Sequence, residues 1–175
     1  MIISNKSFKE YLYKELSPYI LSVNIKSYLI NLLHSYLSSE QLFEKKAGET
    51  KSHEKTLIEW YKKSQQSNRQ EKLYLFKRIG DFSLYLSGFF REAIKKKLVH
   101  LSYYEEMGRS AYHYVSQSYT PKPNVFKELS LEFTEISEIL FFIQKRSTFQ
   151  SQKKYFLSFA SVSFSENLKK NKISH

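Results

Sequence analysis

KRIGDFSLYLSGFF, residues 77–90, is the most apolar stretch of the chain. Large apolar side chains fall on every side of a helix drawn through it, and a helix of this kind is buried in a protein core. The apolar pattern extends in both directions, which predicts a central helix over residues 70–98. Two unusual features interrupt the stretch: a pair of glycines, and Asp81, which is the single aspartate of the chain.

The two glycines belong to a set of small residues on one side of this predicted helix. The set consists of Gly80, Ser83, Ser87 and Gly88. A glycine inside a helix costs about 1 kcal/mol relative to alanine, so two of them need a reason. Close approach of a second helix is one reason, and room for a ligand is another. Gly108 in YYEEMGRSAYHYVSQ, residues 103–117, is a third mid-helix glycine, so we predict that these two helices pack closely together.

Asp81 is the centre of the main candidate site. A buried carboxylate is costly unless it is paired, and the candidate partners are Arg78, three residues earlier, and Arg109 in the second helix. Contact between the two helices would gather one set of polar and aromatic side chains: Arg78, Asp81, Tyr85, Tyr104, Arg109 and Tyr112. This set has two interpretations, a structural ion pair that fixes the helix register or a pocket for a small anionic or apolar ligand.

The rest of the chain also favours helices, since it contains only 4 glycines and 3 prolines among 175 residues. Helix start signals occur at Ser7–Glu10, Ser17–Pro18, Ser102–Glu105 and Asn124. With the apolar periodicity they predict helices over residues 4–15, 18–38, 52–64, 70–98, 102–118 and 125–147. We therefore expect an all-α single domain of five to seven helices over residues 1–147. Residues 148–175 are expected to be a C-terminal segment, either a docked helix or a partly disordered tail.

Three segments carry a resemblance to known proteins: RIGDFSLYLSGFF, YYEEMGRSAYHYVS and VFKELSLEFTEISEIL. With YLINLLHSYLSSEQLF, residues 28–43, they resemble an uncharacterised family of bacterial all-helical proteins. Members of that family share a GDF–small–Leu core, a Gly-Phe-Phe pair and a Tyr-rich helix with a glycine in its middle. The resemblance covers residues 28–147 and implies a helical fold, but it implies no activity. Where such relatives have Pro-Glu after the aromatic pair, this chain has Arg91-Glu92 and lacks the proline that would kink the helix.

The sequence excludes several kinds of chemistry. The chain has no cysteine, which excludes disulfides, thiolate metal sites and a cysteine nucleophile. It has no His pair at i, i+4, no Glu-x-x-His, no phosphate-binding glycine loop and no G-x-S-x-G elbow. We therefore expect no metal and no cofactor. The acidic residues Glu128, Glu132, Glu135 and Glu138 are interpreted as a solvated helix face.

The net charge of +11, from 28 basic and 17 acidic residues, favours an anionic partner. However, only 5 of the basic residues are arginines, and base recognition relies mainly on arginine. MGRSAYHYVSQ weakly resembles a helix-turn-helix, with Gly108 as the turn and residues 112–119 as the recognition helix.

The function that fits these observations best is a non-enzymatic, cytoplasmic module for protein interaction or regulation. Its partner would be another protein or a second copy of the chain. A nucleic-acid-binding regulator with a basic helical surface is the second interpretation. A pocket protein centred on Arg78, Asp81 and Arg109 is the third. We expect no targeting segment and no transmembrane segment, because the longest apolar run, FSLYLSGFF, has nine residues.

Overall fold

The computed structural model describes residues 5–38, 53–95, 100–118 and 124–146. These residues form eight helices and no strand, which confirms the predicted all-α fold. The helices are α1 (Asn5–Leu16), α2 (Val23–Ser38), α3 (His53–Gln66), α4 (Arg69–Phe89), α5 (Arg91–Lys95), α6 (Leu101–Ser118), α7 (Val125–Leu131) and α8 (Phe133–Arg146). The predicted C-terminal segment, residues 148–175, lies outside the described residues.

α4 is the central helix. Every residue from Ile79 to Gly88 is buried, because α4 contacts α3, α6 and α8 and also receives side chains from α2. Asn68 is the N-cap of α4, and its side chain accepts a hydrogen bond from the backbone N–H of Glu71 at 3.0 Å. The segment is apolar on all sides because other helices pack against it from several directions.

Two predicted helices are each interrupted once. The helix predicted over residues 70–98 is divided at Phe90, and the helix predicted over residues 125–147 is divided at Glu132. Phe90 and Glu132 have φ angles of −112° and −101° with ψ near 15°, which lies outside the α-helical region. No proline marks either position, and the side-chain period continues across both. The sequence pattern therefore predicted uninterrupted helices.

The predicted start of α2 at Ser17–Pro18 is wrong. Ser17 Oγ donates a hydrogen bond to the Lys14 carbonyl at 2.8 Å, so Ser17 closes the end of α1. Pro18 lies in the turn that follows. Ser22 caps α2 instead, since its Oγ accepts from the backbone N–H of Ile25 at 3.2 Å.

Close packing between α4 and α6 depends on glycines in both helices. A Cβ atom added at Gly80 would lie 2.7 Å from the ring of Tyr112. A Cβ atom at Gly108 would lie 2.8 Å from the Cβ of Ser83 on α4 and would also collide with the ring of Phe133 on α8. Real Cβ atoms do not approach so closely, so only glycine allows these two helices to meet at this distance.

The second glycine of α4 has a different neighbour. A Cβ atom at Gly88 would lie 2.7 Å from the Cβ of Leu140 on α8. Of the two glycines of α4, Gly80 thus faces α6 and Gly88 faces α8. Ser87, beside Gly88, donates its hydroxyl to the Ser83 carbonyl at 2.7 Å and so satisfies itself within α4.

α6 runs without interruption from Leu101 to Ser118. Gly108 therefore lies inside a helix and not in a turn, and the helix-turn-helix hypothesis is wrong. The predicted N-cap at Asn124 is confirmed, since its side chain accepts from the backbone N–H of Lys127 at 3.2 Å.

Candidate functional site

Asp81 lies in the middle of α4 and is only 6% exposed. Its Oδ1 accepts hydrogen bonds from the hydroxyls of Tyr28 at 2.5 Å and Tyr112 at 2.8 Å. Its Oδ2 lies 2.7 Å from Nζ of Lys77, one helical turn earlier. We call these four residues the Asp81 cluster. The carboxylate is thus bound by α2, by α6 and by its own helix.

The two tyrosines of the Asp81 cluster remain protonated at any ordinary pH. Burial raises the pKa of Tyr28, and the Asp81 carboxylate raises it further. The pKa of Tyr112 is raised well above its usual range, first by burial and then by the same carboxylate. Both hydroxyls therefore keep donating to Asp81, and neither offers an acid–base group near neutral pH.

The arginines that were predicted to pair with Asp81 lie elsewhere. Arg109 is exposed on α6, and its guanidinium donates to Thr134 Oγ1 on α8 at 2.9 Å. Arg78 is also exposed and lies over the ring of Trp60 on α3. Lys77 pairs with Asp81 instead, at the i, i+4 spacing that places both side chains on one side of a helix. Arg78, Asp81 and Arg109 therefore do not form one pocket.

The two remaining predicted tyrosines are core residues. Tyr85 stacks on Tyr36 with ring centroids 4.9 Å apart, and burial raises its pKa. Tyr104 is fully buried, and its ring meets that of Tyr103 edge-on at 5.5 Å. Within the predicted set, the structure joins Asp81 to Tyr112 and places Tyr85 and Tyr104 in aromatic packing.

A second buried charge, Arg91, was not predicted as a site residue. It is 8% exposed, and its guanidinium lies 2.9 Å from Glu105 on α6 and 3.4 Å from Glu138 on α8. It also donates to Ser137 Oγ at 3.0 Å. The predicted capping box at Ser102 is wrong, because α6 begins one residue earlier and the Glu105 carboxylate faces Arg91.

We call Arg91, Glu105, Ser137 and Glu138 the Arg91 cluster. One feature of the sequence could have indicated it. Arg91 directly follows the Gly-Phe-Phe run of the most apolar segment, so a guanidinium there needs an acceptor. Its partners could not be identified from the sequence, since Glu105 is 14 residues away and Glu138 is 47 residues away. Like the Asp81 cluster, the Arg91 cluster is paired within the protein and ties three helices together.

A third group of residues lies at the surface where α3 meets α4. We call it the Arg78 face; it consists of Trp60, Tyr74 and Arg78. The guanidinium carbon of Arg78 lies 4.3 Å from the centroid of the Trp60 ring and 5.7 Å from that of Tyr74. Tyr74 is 58% exposed. The face therefore presents an oriented cation and an exposed aromatic ring to solvent.

A groove of about 340 Å³ lies between α6 and α7. It is lined by His113, Ser116, Gln117, Lys127, Ser130 and Leu131. Its serine hydroxyls are used within the protein, because Ser116 donates to the His113 carbonyl and Ser130 to the Arg109 carbonyl. None of the residues that line it belongs to the predicted pocket.

The described ranges hold no group of three or more His, Cys, Asp or Glu side chains that could bind a metal ion. Nor does any helix in them combine the length and the apolar character needed to cross a membrane. No family model, no curated protein and no solved structure matches the chain. The resemblance to a bacterial helical family therefore stays a prediction.

Proposed function

We propose that the protein is a non-enzymatic, cytoplasmic interaction module that binds a partner protein through the Arg78 face. The observation that carries this proposal is the guanidinium of Arg78, held 4.3 Å above the Trp60 ring beside the exposed Tyr74. Tryptophan, tyrosine and arginine are the residue types that contribute most to binding energy in protein interfaces. Their concentration at one surface position favours recognition of another protein.

The buried charges support the same conclusion. Asp81 receives three donors, and Arg91 contacts two carboxylates and a hydroxyl. These groups are occupied by contacts that hold helices together, so they do not form a reactive site. The polar groups of the Arg78 face, by contrast, lie at the surface, where a partner can reach them.

Photo-crosslinking tests the proposal directly. Tyr74 is replaced by p-benzoylphenylalanine in the full chain, which is expressed in its cell of origin and irradiated. Because Tyr74 is exposed on the Arg78 face, we expect a discrete adduct with a second polypeptide. An adduct that contains only this chain would identify the partner as a second copy.

Tyr13 provides the matched control. It is 66% exposed and lies on α1, which packs mainly against α2. The same replacement at Tyr13 should give no discrete adduct. If Tyr74 gives no adduct, or if both positions give the same pattern, the Arg78 face is not an interaction surface and the proposal is wrong.

A nucleic-acid-binding regulator is a second candidate, supported by the net charge of +11. Exposed cations on α3 and α4, among them Lys62 and Arg69, would form its basic surface. Such binding weakens steeply as salt rises, because each phosphate contact releases counterions. Absence of binding at low salt, or binding that does not respond to salt, removes this candidate.

A further inference from the structure

Arg78 lacks a charged partner within the described residues, and its contacts are with two aromatic rings. Lys77, its neighbour, is neutralised by Asp81 at 2.7 Å. The other acid of α4, Glu71, is bound to Lys63 at 2.9 Å. Both acids of this helix are therefore paired with lysines, and the positive charge of Arg78 is left uncompensated at the surface.

The aromatic contacts of Arg78 fix its orientation. Its guanidinium carbon lies 4.3 Å from the centroid of the Trp60 ring, and a guanidinium held over a ring face keeps the N–H groups at its edge available for hydrogen bonds. Trp60 is itself held in place, since its ring meets Phe82 of α4 at 5.5 Å. The donor fork of Arg78 is thus presented on a rigid base, and less conformational entropy is lost when it binds a planar anion.

The same contacts argue against a nucleic acid as the occupant. Single-stranded nucleic acids bind by stacking bases on open aromatic faces. Here a cation already lies over the ring of Trp60, and another, from Lys77, lies over the ring of Tyr28. Tyr114 on α6 is covered by two residues of α4, Phe76 at 4.3 Å and Lys72 at 5.4 Å. These three rings are covered, so the Arg78 face offers its cation and the ring of Tyr74 to a partner.

From this arrangement we infer that the Arg78 face binds an acidic segment of a partner protein. One Asp or Glu carboxylate of that segment accepts two hydrogen bonds from the edge of the Arg78 guanidinium. The exposed ring of Tyr74 packs against the chain beside that carboxylate. This inference rests on the proposed function, since it names the chemistry of the partner for the same surface.

The single tryptophan of the chain makes the inference measurable at the face itself. The full-length protein is titrated with poly-L-glutamate, and in parallel with oligothymidylate of equal charge. Dissociation constants come from calorimetry, and Trp60 fluorescence reports whether the ligand reaches the Arg78 face. We expect poly-L-glutamate to bind with a change in Trp60 fluorescence and more tightly than oligothymidylate.

Arginine variants separate a specific contact from general attraction to a basic protein. Arg78→Gln should weaken the binding of poly-L-glutamate by at least about tenfold, as expected for a lost charged hydrogen-bond pair. Arg78→Lys should be weakened almost as much, because lysine keeps the charge but lacks the planar fork. Arg109→Gln removes the same charge from α6 and should bind within about twofold of the wild type.

Several results would overturn the inference. One is an absence of binding, or binding that leaves Trp60 fluorescence unchanged. Another is an equal loss in Arg78→Gln and Arg109→Gln, which would indicate non-specific charge attraction. Tighter binding of oligothymidylate with a Trp60 response would identify a nucleic-acid surface. If the Tyr74 adduct forms but poly-L-glutamate does not compete with it, only the acidic partner is wrong; if no adduct forms, the proposed function is wrong as well.

Discussion

Asp81 and Arg78 lie three residues apart on α4, and their surroundings are opposite. Asp81 is 6% exposed and bound by Tyr28, Tyr112 and Lys77. Arg78 lies at the surface on the ring of Trp60, with no hydrogen-bond partner among the described residues. Three residues correspond to about 60° around a helix, and this rotation places one side chain between α2 and α6 and the other beside α3.

The difference shows that sequence spacing does not decide which charges pair. The spacing between Arg78 and Asp81 permits an ion pair, but Asp81 faces inward, where tyrosine hydroxyls reach it from two other helices. Arg78 has an aromatic ring on its own side and no acceptor. The inner charge is therefore bound within the fold, and the outer charge is accessible to the partner that we propose.

Of the variants considered, Asp81→Ala should lose the most unfolding free energy. It leaves the hydroxyls of Tyr28 and Tyr112 without their acceptor in the core, and breaking a buried charge cluster costs roughly 3–5 kcal/mol. Urea unfolding of the variant and the wild type measures the loss in unfolding free energy. Asp81→Asn keeps an oxygen acceptor and should lose less. A loss below about 1 kcal/mol in Asp81→Ala would make Asp81 a ligand-binding candidate again.

Tyr112→Phe removes one donor and leaves the carboxylate in place. A hydrogen bond to a charged group contributes about 1.5–3 kcal/mol, and Tyr112 is fully buried. The unfolding free energy should fall by that amount. Tyr13→Phe, at an exposed position on α1, is the control and should be neutral. Equal stability of Tyr112→Phe and the wild type would contradict the hydrogen bond to Asp81.

Arg78→Gln tests the outer side and should have little effect on folding. It removes the stacking of the guanidinium on Trp60, which is worth about 0.5–1 kcal/mol at an exposed site. Thermal and urea unfolding should therefore show a loss of no more than about 1 kcal/mol. A loss as large as that of Asp81→Ala would mean that Arg78 holds the fold together and is not reserved for a partner.

Glu132→Gln extends the comparison to a carboxylate without a cation and should have the smallest effect. Burial raises the pKa of Glu132, and the neighbouring Glu135 and Glu128 raise it further. A raised pKa in the folded state means that the wild type loses stability as pH rises through that pKa. Glu132→Gln should therefore be more stable than the wild type at neutral pH, by about 0.2–0.5 kcal/mol for each like-charge contact removed.

The pH dependence provides the check on Glu132. The advantage of Glu132→Gln should vanish when the pH falls below the ordinary glutamate pKa of about 4.3, because the wild-type side chain is then neutral in both states. Unfolding free energies of both proteins are measured by urea denaturation at neutral and at acidic pH. Lower stability of the variant at neutral pH would show that Glu132 has a favourable partner.

Parts of the fold and of the candidate site could be predicted from the sequence, because burial and helix start signals depend on residues that are close together in the chain. The apolar stretch around Asp81 predicted a buried carboxylate, and Asn124 was predicted as an N-cap from its position after a proline-rich loop. The partners of the buried charges were not predictable in the same way. Asp81 accepts a hydrogen bond from Tyr28, which is 53 residues away in the sequence. Arg91 donates a hydrogen bond to Glu138, which is 47 residues away.

The sequence by itself determined that the chain is helical, that residues 77–90 are buried and that a charge inside them must be paired. These follow from side-chain period, helix propensity and the cost of removing a charge from water. Only the tertiary structure decided that Lys77 and two tyrosines satisfy Asp81 and that Arg78 faces outward on Trp60. The physical reason is that these pairings depend on how α2, α3 and α6 are rotated about α4, and that rotation is set by packing across the whole core.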